Sequence, residues 1–218
     1  SISLSLNQIV STARWHDGAH IGYNNDANCE PAWDGSGSIY VTGWRQTTNT
    51  GEFARYDIAT DTWSPLTPFP SFYRYFGGSA VYGGKVYVFA GSERANGVSG
   101  GPPTHNWATR IYDIETDTWS IGSDMPGVGT STFDPSPADR TMPRSLVIGD
   151  KIYLVSGFNS QNPGPHSAQG AGEDRTDVYN PATDTWQALA NMPLGAEFPG
   201  ACVDGQGRIH VFGGNIEP

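Results

Sequence analysis

The side chains best suited to chemistry in this chain of 218 residues are spread widely: His16, His105 and His166, Arg45 and Arg74, and Tyr73. An arginine that neutralises a carboxylate, beside a histidine or tyrosine that moves a proton, is the minimal set for lyase or epimerase chemistry. No nucleophile motif accompanies them. A metal site would draw on His16 and His20 with His105 or His166, but lone loop histidines are usually solvated, so neither metal nor cofactor is expected. Interleaved with these groups are Trp15, Trp44, Tyr75 and Trp107. Flat aromatic faces beside Arg and His match the needs of a glycan or peptide ligand, which offers apolar faces to stack and polar groups to orient.

These residues need a scaffold, and the composition limits what it is. Gly (28) and Pro (16) are too frequent for long helices and favour short strands joined by turns. The net charge is −10, with only two lysines, Lys85 and Lys151. An acidic surface repels phosphate backbones, so nucleic acid is not expected as a partner. No apolar run approaches the roughly 20 residues of a membrane span, and no membrane insertion is expected. Neither an initiator Met nor a signal peptide is present, so a mature or excised product is expected. Few lysines and many Asn, Thr and Gly point to an extracellular or secreted setting. Cys29 and Cys202 fit no metal spacing. Either they form one disulfide or both are buried thiols.

The chain writes one sentence three times: YDIATDTWSPLTPFP (Tyr56 to Pro70), YDIETDTWSIGSDMP (Tyr112 to Pro126) and YNPATDTWQALANMP (Tyr179 to Pro193). Upstream stand IYVTG (Ile39 to Gly43), VYVFAG (Val86 to Gly91), IYLVSG (Ile152 to Gly157) and, unaccompanied, IHVFGG (Ile209 to Gly214). Each follows a glycine-containing turn, and each turn follows a short strand: GSAVY, RSLVI, PGACV and, for the first copy, AHIGY (Ala19 to Tyr23). The unit is four antiparallel strands, a to d, at a period of roughly 50 to 65 residues, which belongs to propeller blades. Trp63, Trp119 and Trp186 are the expected plugs between neighbouring sheets. Asp61, Asp117 and Asp184 are expected to bond backbone N–H groups within their own c–d turns.

The small or Gly-Gly end of strand b, the Tyr of strand c, the Trp seven residues later and the following Met-Pro resemble a kelch-repeat β-propeller over nearly the whole chain. In the middle copies strand b ends in AG or SG rather than GG. The resemblance implies an all-β fold of four-stranded blades, commonly six or seven to a ring. It also implies a binding or assembly role in many members and an enzymatic one in some, among them polysaccharide lyases, a sialic-acid epimerase and copper radical oxidases. The oxidases' Tyr–Cys crosslink has no counterpart, because no Cys lies in the candidate binding loops.

One domain is expected over 1–218, with blades at about 19–66, 77–122, 144–189, and 198–218 completed by 1–12. The C-terminus supplies strands a and b of the split blade, and the alternation of Ile2, Leu4 and Leu6 followed by Ile9 and Val10 suits strands c and d. A closed monomer is favoured; a portion of a longer protein, or two chains that exchange ends into one eight-bladed ring, are the alternatives. Closure would set Cys202 and Cys29 on neighbouring inner strands, where a disulfide would lock the ring.

In an a-b-c-d blade the b–c and d–a connections leave at the same end. Here those connections are long, so the insertions gather on one face, where insertions in repeat proteins often bind. That face is expected to carry Trp15, His16, Trp44, Arg45, Tyr73, Arg74, Tyr75, His105, Trp107 and His166. The reading favoured by the sequence is a non-catalytic recognition module for a glycan or protein ligand. A lyase- or epimerase-like enzyme using Arg, His and Tyr of the same face is the alternative, and a structural scaffold is the third.

Overall fold

The computed structural model describes residues 18–19, 31–45, 50–69, 77–94, 103–105, 108–126, 140–159 and 171–216. Every regular element among them is a strand. The first blade runs β1 (Ala32–Trp33), β2 (Ser38–Arg45), β3 (Thr50–Asp57), β4 (Thr62–Pro65), paired in that order. In the second, β5 (Gly78–Tyr82) pairs β6 (Lys85–Phe89). A small ribbon, β7 (Ser92–Arg94) with β8 (Pro103–His105), then precedes β9 (Ala108–Asp113) and β10 (Thr118–Asp124). The third has β11 (Arg144–Ile148) and β12 (Lys151–Val155), the ribbon β13 (Phe158–Asn159) with β14 (Ala171–Gly172), then β15 (Thr176–Asn180) and β16 (Thr185–Ala188). Last come β17 (Ala196–Glu197), β18 (Gly200–Val203), β19 (Ile209–Phe212) and β20 (Asn215–Ile216). β18 pairs β19, the expected a–b hairpin of the split blade, and β17 pairs β20. The strands expected over 1–12 lie outside the described residues.

The a strands β1, β5, β11 and β18 lie side by side in that order, and the sheets radiate from them. Gly78 lets β5 approach β11: a Cβ there would stand 3.1 Å from Pro143 Cγ and would overlap the Ser145 hydroxyl. Between the first two sheets pack Tyr40, Phe53, Phe69, Val86, Val88 and Tyr112; between the second and third, Tyr87, Phe89, Met125, Ile152, Leu154 and Tyr179. The tryptophans plug these spaces as expected. Trp119 meets Phe53 and Phe69 edge to face at 4.9 Å, and Trp186 meets Phe89 at 5.3 Å.

Two expectations need correction. Strand a of the first blade is Ala32–Trp33, not Ala19–Tyr23: Ala32 pairs Tyr40 and Trp33 pairs Ile39. The turn between β1 and β2 is closed by Asp34, whose carboxylate accepts the N–H groups of Ser36, Gly37 and Ser38. So tight a turn leaves no room for a strand a farther upstream.

The second correction concerns the TDTW aspartates. The local turn is closed instead by the residue after the Tyr: Asp57 accepts the Thr60 N–H, Asp113 those of Glu115 and Thr116, and Asn180 that of Ala182. Asp61, Asp117 and Asp184 sit at φ +51° to +52° and reach the neighbouring blade. Asp117 Oδ1 accepts the Tyr112 hydroxyl of its own blade at 2.6 Å and the Thr67 N–H of the preceding one at 2.9 Å. Trp119 Nε1 donates to the Thr67 carbonyl at 3.0 Å. Tyr179, Asp184, Ser123 and Trp186 repeat the pattern in the third blade. In the first, Ala19 takes the place of Thr67, donating to Asp61 at 2.7 Å and accepting from Trp63 Nε1 at 2.7 Å.

Candidate functional site

How each b–c connection leaves its sheet is set by two residues at the end of strand b. Ala90-Gly91, Ser156-Gly157 and Gly213-Gly214 all carry positive φ, which ends the strand and turns the chain. In the first blade the pair is Thr42-Gly43. A β-branched residue resists the left-handed region. Here the ladder continues, with Trp44 opposite Gly51 and Arg45 opposite Thr50, which gives β2 and β3 eight residues each.

In the second and third blades the connection turns and then resumes as a ribbon. Ser92 pairs His105, Glu93 pairs Thr104 and Arg94 pairs Pro103 in one; Phe158 pairs Gly172 and Asn159 pairs Ala171 in the other. Bridges Thr141↔Phe158 and Glu173↔Ala196, with the β17–β20 pair, extend the third ribbon sideways towards the C-terminal hairpin. At the opposite end the a–b turns are short: Gly83-Gly84, Gly149-Asp150 and the Asp204–Arg208 turn.

Trp44, Arg45 and His105 therefore lie at the b–c ends of the first two blades. The other expected site residues, Trp15, His16, Tyr73, Arg74, Tyr75, Trp107 and His166, lie outside the described residues, as does Cys29. Cys202, on β18, is exposed and unpaired among the described residues, so it is not a buried thiol. Among the described residues no cluster of His, Cys, Asp or Glu could hold a metal, and no helix is long and apolar enough to cross a membrane.

Beneath this end lies a buried ionic cluster that the sequence reading missed. Arg140, 1% exposed, donates from Nη1 to Asp177 Oδ2 at 2.6 Å, from Nε to the Ser156 carbonyl and from Nη2 to the carbonyls of Leu154 and Arg175. Arg175 completes the triad, its Nε 2.6 Å from Asp177 Oδ2, and its Nη2 donates to the Pro126 carbonyl of the preceding blade. Burial pulls the Arg140 guanidinium down to about 10, against the opposing pull of Asp177, so it stays cationic at neutral pH. Each Arg140 nitrogen has an acceptor. Its role is to tie the d–a connection to strands b and c, and it is not a ligand-facing charge. One signal was available: Asp177 stands two residues before the Tyr of strand c, where the first copy has Ala54. An acid at that inward position requires a buried partner.

Comparison with known proteins matches this architecture. A family model described as the Kelch motif fits residues 139–193, the third blade with its d–a connection. The third blade thus carries a kelch motif. Kelch-like protein 35 of Mus musculus is 25% identical over 163 residues, covering 75% of this chain and 22% of the relative. Kelch-like protein terF of Aspergillus terreus is 24% identical over 184 residues, 82% of this chain and 35% of the relative. Kelch-like protein 15 of Danio rerio is 29% identical over 167 residues, 73% and 25% respectively. The chain thus spans only about a quarter to a third of these relatives. Among solved structures, that of YjhT superposes with a TM-score of 0.64 at 14% identity, over 88% of this chain and 66% of that one. At that identity the likeness speaks for the kelch propeller fold alone.

Proposed function

We propose that this kelch propeller is a non-catalytic recognition module that takes a protein ligand across the end bearing its b–c connections. One observation carries the reading: three successive b–c connections are built as β-ribbons or an extended hairpin, while the a–b turns at the other end are minimal. A strand-built connection can take an extended segment as an added strand, and the side chains beside it supply selectivity. Trp44, Arg45 and His105 are the first contacts in this reading, with Trp107 and His166 from the b–c connections and His16, Tyr73, Arg74 and Tyr75 from the d–a connections of the same face. An acidic chain with few lysines suits a basic ligand in an extracellular setting.

The test is a solid-phase screen of the purified chain against a displayed peptide library and a glycan array, followed by titration of the hits. Peptide hits lost in Trp44→Ala and Arg45→Ala, with melting unchanged, are expected. Hits confined to glycans would make the ligand a carbohydrate, and hits indifferent to both substitutions would remove this end as the binding face.

A further inference from the structure

The short strands β13, β14, β17 and β20, with Thr141 beside β13, form one belt across the b–c end. Thr141 pairs Phe158, Phe158 pairs Gly172, Glu173 pairs Ala196 and Glu197 pairs Asn215. Side chains alternate along a strand and match across a pair, so these pairings sort the belt into two faces. Arg140, Gly157, Glu173 and Ala196 fall on one; Thr141, Phe158, Gly172, Glu197 and Asn215 fall on the other. The contacts agree: a Cβ on Gly157 would stand 2.9 Å from Arg140 Cγ, and Asn215 Nδ2 donates to Glu197 Oε2 at 3.3 Å. The first face belongs to the ionic triad.

Two features of the second face are costly to fold. Asp113, Asp177 and Asp204 each pair a Lys or Arg, yet Glu197, only 8% exposed, has no cation beside it among the described residues. A carboxylate drawn out of water needs such a partner. Phe198 holds φ +52°, a left-handed backbone that bulky residues rarely adopt, and still stands 48% exposed. Plain alternation would send residue 198 to the triad face. The positive φ instead brings its ring onto Phe158, 6.3 Å away and 19° from parallel. Gly172, between Phe158 and Glu197 in the row, contributes no side chain to obstruct it. Backbone strain that leaves an aromatic ring in water points to a ligand rather than to packing.

We propose that Phe198, Phe158 and Glu197 form a subsite for an arginine side chain of the protein ligand, its guanidinium stacked on the exposed Phe198 ring and paired to Glu197. This subsite rests on the recognition reading above and names what that end selects. Arginine suits it better than lysine, because a planar fork stacks and pairs at once and brings the charge that Glu197 lacks.

The test measures retention of the intact chain on immobilised pools of short peptides with Arg, Lys, Ala or Glu fixed at the centre. The Arg pool should retain about tenfold more than the Ala and Glu pools and about threefold more than the Lys pool. Glu197→Gln should cut retention on the Arg pool about tenfold with melting unchanged. Phe198→Gly should cut it likewise while melting holds or rises, because glycine relieves the positive φ. Lowered melting with retention intact would make Phe198 a packing residue and overturn the proposal. Equal retention on the Arg and Lys pools would reduce the preference to bulk charge and overturn it too, as would an Arg preference that survives both substitutions. Equal retention on the Arg and Ala pools, lost in Trp44→Ala, would end the subsite and keep the recognition reading; no retention on any pool would end both.

Discussion

The carboxylate of Asp184 accepts the backbone N–H of Ser123, 61 residues earlier and one blade away, at 2.8 Å. The same oxygen accepts the Tyr179 hydroxyl at 2.7 Å, and the Ser123 hydroxyl donates to the Asp184 carbonyl at 2.5 Å. One short acid thus joins its own strand c to strand d of its neighbour, and its repeats tie sheet to sheet around the wheel.

Removing that acid should cost stability in proportion to how far each site is shielded. Asp184 is half-buried, so Asp184→Ala is expected to lose about 1.5–3 kcal/mol in urea unfolding, the range for a hydrogen bond to a charged group. Asp61 is exposed, and Asp61→Ala should lose less. Gly122→Ala should imitate the Asp184 effect without touching the carboxylate, because its added Cβ would lie 2.7 Å from Asp184 Oδ1 and 2.9 Å from Ile111 Cδ1.

The triad under the loop end predicts a different signature. Asp177→Ala strands two guanidinium groups in a site where Asp177 itself is 0% exposed, and should cost about 3–5 kcal/mol. Pairing Asp177→Leu with Arg140→Met should recover part of that loss, because two of the three buried charges go together. Chemical denaturation of the single and double variants gives the coupling directly.

Strain at the end of strand b is open to test at Ala90, which holds φ +53° while buried. Ala90→Gly should raise the urea midpoint by the equivalent of up to about 1 kcal/mol, and Ala90→Val should lower it by about 2 kcal/mol or more, since a β-branched side chain resists that backbone.

Acid should loosen the wheel within a defined window. The Lys85 ammonium, with the Thr116 N–H, holds Asp113 down at about 2; the Tyr112 hydroxyl, with the Thr67 N–H, holds Asp117 below its ordinary value. Burial alone would raise Asp184, but the Ser123 N–H and the Tyr179 hydroxyl outweigh it and the net shift is downward. Carboxylates lowered in the folded state stabilise fully above their unfolded value of about 4 and lose that contribution as the pH falls below it. Melting temperature should therefore be flat from pH 7 to 5 and fall between about pH 4 and pH 2. Asp184→Ala should flatten part of that fall.

What the sequence made legible was whatever every blade must solve alike. The Tyr and the Trp seven residues on recur because each space between sheets needs the same plug, and the C-terminal a–b hairpin was visible for the same reason. A strand of two residues, Ala32–Trp33, has no periodicity to read, whereas the more apolar Ala19–Tyr23 has the pattern of a strand. The TDTW aspartates read as closers of their own turns because the partners they hold, Thr67 and Ser123, lie 50 and 61 residues away. Arg140 was hidden by the same distance, its partner Asp177 standing 37 residues on. Of the candidate site, only Trp44, Arg45 and His105 can be placed, since they extend ladders whose register the sheets fix.

Hydrogen–deuterium exchange of the chain with and without its selected ligand tests the central claim most directly. Binding should slow exchange in the ribbons at 43–52, 92–105 and 158–173 together, leaving the turns at 83–84, 149–150 and 205–207 unchanged. Protection of those turns with the ribbons unaltered would contradict the account.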